Sequence, residues 1–202
     1  GSVKKISGHI TQKVADRLTG LFNTERAAYE GYWQDIAPFV RYGCQTDPKF
    51  YEQVKTALLF HLTDGSFKTL EEYTAANGEK APGKVYYTSD PKRQAASVAL
   101  YTSRGIDVAV IGERFSELDA NFLSFMEYGG GNSGVSFARV DADIDGLKEE
   151  SEEGKELDAE KLQTLFRAAL GKEDLDVRLE SLSDPEMTAM VTEDEQMRRY
   201  KD

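Results

Sequence analysis

The sequence is poor in cysteine, histidine, tryptophan and proline, and each shortage narrows what the chain can be. One cysteine, Cys44, among 202 residues excludes an internal disulfide framework and suits a reducing compartment. Two histidines, His9 and His61, leave few soft ligands for a metal. A site at His61 would need two or three further ligands at suitable spacing, and the neighbouring sequence offers none. With so few potential bases, Cys44 reads as a small buried or half-buried thiol rather than a nucleophile. No apolar run approaches the length of a membrane span, and no signal peptide opens the chain. Basic residues are outnumbered: 25 Lys and Arg against 36 Asp and Glu leave a formal charge of −11, which argues against a nucleic-acid surface. The excess is local. Residues Asp141–Glu160 hold ten acids and two lysines, a net of −8, so the rest of the chain is nearly balanced.

What is present is globular: 40% hydrophobic and 10% aromatic residues, in a length that allows one or two domains with a real core. The organising stretch is Lys84–Ile111, which reads as strand, helix, strand. Lys84–Thr88 is aromatic and β-branched. Ser89 and Asp90 are N-cap types, with Pro91 in the first turn, and Ala95, Val98, Ala99, Tyr101 and Thr102 recur at helical spacing up to Gly105. Ile106–Ile111 is an apolar run of the kind buried on both faces of a parallel sheet. A crossover of this length predicts a right-handed, parallel pair.

Upstream, Ile10, Val14, Leu18, Leu21 and Phe22 predict one face of a helix from about His9, broken at Asn23–Thr24. Tyr29, Tyr32, Trp33, Ile36, Phe39 and Val40 continue the period as an aromatic stripe read as core, with Pro38 in the last turn or so and Gly43 as the stop. Asp47–Pro48 caps a third helix, expected to run through Phe50, Val54, Leu58 and Leu59 to about His61. Asp64–Gly65 is a turn, and Thr69 with Glu72 forms a capping box opening a short helix through Tyr73 to about Ala76.

Downstream, Ser116–Met126 predicts a helix with Phe122 and Leu123 towards the core. The glycines Gly129–Gly131 and Gly134 follow a helix and precede the strand Val135–Val140, the wrong order for a phosphate cradle, so they read as a mobile connector. Asp141, Asp143, Asp145, Gly146 and Glu152 resemble the spacing of a calcium loop without its later polar ligands, and the stretch reads as a solvated linker. A helix Asp158–Leu170 stopped by Gly171, strands Asp176–Leu182 and Met187–Thr192, and a helix from Glu193 complete the pattern.

The order and spacing of these strings resemble the bacterial branch of the ninety-kilodalton heat-shock chaperone family. The likeness is carried by Tyr29, Tyr32, Trp33 and Ile36 closing at Gly43, then by Thr69, Leu70 and Tyr73. Lys84 before Tyr86–Tyr87, Gly105 with Val108, Phe115–Ser116–Glu117 with Asn121, and the strand Asp176–Leu179 after an acidic linker complete it. It covers about Ile6 to Met197. It implies an α/β fold: a small parallel-sheet α/β sandwich preceded by long helices and followed by the start of an α+β C-terminal domain. Residues 1–8 then read as a tag scar and lead-in, 9–141 as a helical segment plus the small α/β lobe of the middle domain, 142–157 as the acidic linker, and 158–202 as a truncated start of the C-terminal domain.

By that resemblance the chain is part of an ATP-dependent chaperone, coupling middle and C-terminal domains and contacting unfolded client proteins. The residues implied for client contact are Glu117, Leu118 and Asn121, with Met187, Met190 and Met197 as further contacts. The ATP-binding domain, the arginine that reaches the γ-phosphate and the dimerisation helices are absent from the matched stretch. ATP and Mg therefore belong to the full-length family, the segment carries no cofactor or catalytic residue, and it does not hydrolyse ATP alone. Implied partners are clients and the other domains of the same chaperone, with neither nucleic acid nor membrane. The full-length protein would be a cytoplasmic homodimer and the segment a monomer. Two alternatives stay open: a small-ligand enzyme domain with its site near Thr88–Asp90 and Gly112–Arg114, beyond the strand ends, and an interaction module docking through the acidic linker.

Overall fold

The computed structural model describes residues 2–112, 116–142, 166–171 and 199. By internal contacts the chain forms two units, one of residues 1–143 with 191–202 and one of residues 144–190. In the second unit residues 166–170 are helical, and Gly171 follows at φ +63°, the left-handed stop expected there. The linker beyond Ala142, the expected strands at Asp176–Leu182 and Met187–Thr192 and the three C-terminal methionines lie outside the described residues.

The first unit opens with two long helices, α1 (Ser2–Thr24) and α2 (Arg26–Thr46), meeting at Glu25. α1 buries Ala15 and half-buries Leu18, Leu21 and Phe22, whereas Ile10 and Val14 remain exposed; the expected four-residue ladder thus reaches the core only in its second half. α2 departs from expectation in three ways. It runs past Gly43 to Thr46, because Gly43 is needed for contact rather than termination: a Cβ there would lie 2.9 Å from the Phe50 ring. Pro38 sits mid-helix, not near its end. The aromatic stripe also splits. Tyr29 and Trp33 are buried at 1% exposure with Ala37, Val40 and Cys44 below them, while Tyr32, Phe39 and Tyr42 stand in solvent at 58%, 79% and 61%. A 3.6-residue period gives two apolar rows on this helix, and among the described residues one of them packs into the core.

Asp47 caps α3 (Pro48–Val54), its carboxylate accepting from the N–H groups of Lys49 and Phe50, with Pro48 at the first position. The helix expected to reach His61 stops far earlier. After a 3-10 turn at Lys55–Ala57, the chain forms a hairpin of β1 (Leu59–His61) and β2 (Phe67–Thr69), pairing Phe60 with Lys68. The run Ala57–Leu62 is apolar apart from His61 and shows no helical stripe, so it suits a short strand buried on both faces better than an amphipathic helix. The expected turn at Asp64–Gly65 closes it: Asp64 accepts from the Ser66 N–H at 2.9 Å and Gly65 adopts φ +86°.

α4 (Leu70–Asn77) begins with the expected capping box, Thr69 accepting from the Glu72 N–H and Glu72 accepting from the Thr69 N–H. The three-stranded sheet follows. β3 (Lys84–Thr88) leads through α5 (Ala95–Thr102) to β4 (Val108–Val110), and β4 through α6 (Ser116–Tyr128) to β5 (Ser136–Arg139). β3 lies in the middle, parallel to both neighbours, pairing Tyr86 with Val108 on one side and with Ala138 on the other. α5 starts one turn later than expected, because Asp90 caps a separate turn through the N–H groups of Lys92 and Arg93. Alternation along β3 serves two faces. Val85 and Tyr87 join the main core with Ala109, Ile111 and Phe137. Tyr86 turns to the opposite face and meets Tyr101 of α5, ring centroids 4.4 Å apart.

Candidate functional site

α6 crosses from β4 to β5 and carries the three residues singled out in the sequence. Glu117 and Asp119 lie in its first turn, where negative charge suits the helix dipole. Its inner face is Ala120, Phe122, Leu123 and Met126, all at most 3% exposed, with Phe122 and Leu123 inward as expected. Glu117 and Asn121 are exposed and Leu118 is half-buried. The helix therefore offers solvent a carboxylate, an amide and part of an isobutyl group, none of them held by the core.

Asp119, a polar residue of the same helix, is 6% exposed and faces α2. Its Oδ1 accepts from Arg41 Nη1 at 2.5 Å and its Oδ2 from the Gly112 N–H at 3.0 Å. Arg41 lies 5.5 Å over the Phe122 ring. At the other end Glu127 pairs with Arg199, its Oε2 at 2.8 Å from Nη1, and its Oε1 accepts from the Phe137 N–H at 2.7 Å. Neither pair was foreseen. The partners are 78 and 72 residues apart, and no local pattern links them. Cys44 is fully buried on the inner side of α2, and burial pushes its thiol up to about 12 against an opposing pull from Arg41. Burial likewise raises Tyr51, whose hydroxyl donates to the Gly131 carbonyl.

The strand ends, where a ligand would sit in an open α/β sheet, are filled by their own side chains. Thr88 Oγ1 donates to Gln94 Oε1, Gln94 Nε2 donates to Asp141 Oδ2 at 2.7 Å, and Arg139 Nε donates to Asp141 Oδ1 at 2.9 Å. The cavity there, lined by Tyr87, Ser89, Ile111, Gly112 and Arg139 among others, measures about 20 Å³. That is room for about one water, against several hundred cubic ångströms in sites for small molecules.

The glycine loop is packed rather than slack. A Cβ on Gly129 would lie 2.9 Å from the Phe125 carbonyl oxygen, and one on Gly131 2.8 Å from the Met126 Cα. These glycines let the chain fold back closely onto α6. His61 packs against Phe67 with tilted rings, centroids 4.9 Å apart. Among the described residues no group of three His, Cys, Asp or Glu could hold a metal, and no helix is long and apolar enough to cross a membrane.

Comparison with known proteins gives these positions a context. No family model matches the chain. The chaperone protein HtpG of Bacteroides thetaiotaomicron is 33% identical over the whole chain, and that of Porphyromonas gingivalis 37%. The chain spans about a third of the length of these relatives, 31% in both. Among solved structures, the middle domain of a heat shock protein of Plasmodium falciparum superposes with a TM-score of 0.53 at 18% identity, covering 69% of this chain and 58% of that one. That likeness concerns the fold, and it matches the helix-rich α/β lobe described above. By sequence over its whole length the chain is similar to part of the HtpG heat-shock chaperones, and by fold its helix-rich α/β lobe is similar to the middle domain of a heat shock protein.

Proposed function

We propose that this chain acts as a piece of a molecular chaperone, and that it contributes a surface rather than chemistry. The observation that carries the reading is α6: an inner face locked into the core and an outer side presenting Glu117, Leu118 and Asn121. A carboxylate, an amide and a partly exposed apolar group on one rigid helix suit weak, sequence-tolerant contact with unfolded polypeptide. A rigid element positions such a surface better than a loop. In this reading residues 9–141 are the small middle lobe with its leading helices, 142–157 a spacer, and 158–202 the start of the C-terminal domain. Clients and the flanking domains of the longer chaperone are its partners, without nucleic acid or membrane. Nucleotide turnover, ATP and Mg belong to parts of the relatives outside this chain, and homodimerisation and the cytoplasmic setting belong to that longer protein.

The test is Leu118→Asp. Capture of a permanently unfolded polypeptide should weaken, by about fivefold or more if Leu118 is a principal contact, while the far-ultraviolet circular dichroism and melting midpoint stay close to those of the parent. Unchanged capture would refute the site. The enzyme alternative is disfavoured by the closed polar chain Thr88–Gln94–Asp141–Arg139, which already occupies the strand ends.

A further inference from the structure

α6 is held in the same way at both ends. Near its start, one carboxylate oxygen of Asp119 accepts from an arginine outside the sheet and the other from a backbone N–H just past the preceding strand, that of Gly112. Near its finish, Glu127 takes Arg199 on both oxygens and, on Oε1, also accepts the N–H of Phe137 in the following strand. The four side chains are 9%, 8%, 1% and 3% exposed for Arg41, Asp119, Arg199 and Glu127, so water does not compete for these bonds. Arg41 comes from α2 and also covers the Phe122 ring. Arg199 comes from the far C-terminal stretch, and its other donors reach Ser124 Oγ of α6 and the Phe137 carbonyl. Among the described residues β5 is an outer strand of the sheet, and Glu127 and Arg199 take the backbone N–H and carbonyl of its Phe137. The two carboxylates are just over two helical turns apart and bracket Asn121.

Apolar contact alone would let a helix slide or roll on a sheet with little change in buried area, because burial has no direction. Buried ion pairs are poor sources of net stability, yet each fixes a distance and an orientation. We propose that Arg41 and Arg199 are positioning residues: they set the height and rotation of α6, and through it the presentation of Glu117, Leu118 and Asn121 to extended polypeptide. This rests on the reading of α6 given above. Because one arginine belongs to the leading helices and the other to the C-terminal stretch, a displacement of either segment would shift the polypeptide-facing side of α6.

The experiment uses the whole chain and a fluorescein-labelled, reduced and carboxymethylated α-lactalbumin as the unfolded probe, read by fluorescence anisotropy. Two paired variants replace each ion pair by apolar groups, Arg41→Leu with Asp119→Leu and Arg199→Leu with Glu127→Leu; Arg41→Lys and Arg199→Lys keep the charge, and Leu118→Asp serves as the control for the surface itself. Each paired variant should weaken capture by about fivefold or more, with the melting midpoint near that of the parent, and the lysine variants should recover most of it. Hydrogen exchange of the same proteins should quicken in the amides of α6 and not in those of β3. If Leu118→Asp weakens capture and the paired variants do not, the inference fails while the surface stands. If Leu118→Asp changes nothing, the surface fails, and the exchange data alone decide the clamps: unchanged α6 protection overturns them. A paired variant that no longer folds also overturns the inference, since the pair would then serve the lobe as a whole.

Discussion

Buried polar atoms in this lobe do most to specify where single residues sit. Tyr73, fully buried, donates its hydroxyl to the Asp107 carbonyl at 2.6 Å and accepts the Tyr86 N–H at 3.1 Å, so one side chain from α4 fixes the entry to β4 and the middle of β3. Burial raises its pKa well above the ordinary tyrosine value, which favours the protonated hydroxyl that makes both bonds. Cys44 gives the clearest expectation at this scale. A thiol with no exposed surface and a pKa near 12 supplies almost no thiolate at pH 8 and no path for a reagent. Ellman's reagent should therefore leave the native protein unlabelled over minutes and release one equivalent once denaturant is added; rapid native labelling would show the helix packing to be wrong. Raising the pH towards 12 should expose the same thiol only as the fold itself is lost. The burial of Cys44 was legible from composition alone, whereas the burial of Asp119 was not. A lone thiol hides by default, but a carboxylate goes inside only when a distant cation meets it, and Arg41 is 78 residues away.

Among the elements, α2 shows how a glycine can be mistaken for a stop. Gly43 lies within the helix, and its missing Cβ makes room for the Phe50 ring of α3. Gly43→Ala would gain about 1 kcal/mol of helix propensity but would force a buried ring aside at a cost of about 1–3 kcal/mol. The variant should be less stable by about 1 kcal/mol in urea unfolding, and Phe50→Leu in the same chain should restore part of the loss. A variant more stable than the parent would mean that the ring yields freely. Elements set by neighbouring residues were readable in advance: the capping box of Thr69 and Glu72, the turn at Asp64–Gly65, and β3 with its full span. Elements set by tertiary burial were not. Ala57–Leu62 has no period to separate strand from helix, and only the packing of β1 against the core decides it. The outer row of α2 was taken for core because Tyr32 and Phe39 obey the same spacing as Tyr29 and Trp33; spacing reports that a row is apolar, not that anything covers it. For the candidate site, the positions of Glu117, Leu118 and Asn121 came from a family likeness, and their common helix was readable from its period. The clamps at either end of that helix required the fold.

For the molecule as a whole, the order of the strands sets the order of stability. β3 is paired on both sides and covered on both faces, whereas the β1–β2 hairpin is a separate sheet of two short strands that meets the β4 region at the bridge of Leu62 with Ala109 and the Thr63 N–H to Val108 bond. In native-state exchange the amides of β3 should be the last to open and those of the hairpin earlier; a hairpin that outlasts β3 would contradict the sheet order. The same order has a consequence in time. A ribosome delivers the chain from its N-terminus, at about 5–20 residues per second. The middle strand therefore emerges first of the three, gains β4 next, and waits for α6 to pass before β5 closes its other side. Arg199 comes later still. For that interval of synthesis the helix proposed to meet unfolded polypeptide is tied at its first end and loose at its last, so the nearest unfolded polypeptide it encounters is the remainder of its own chain.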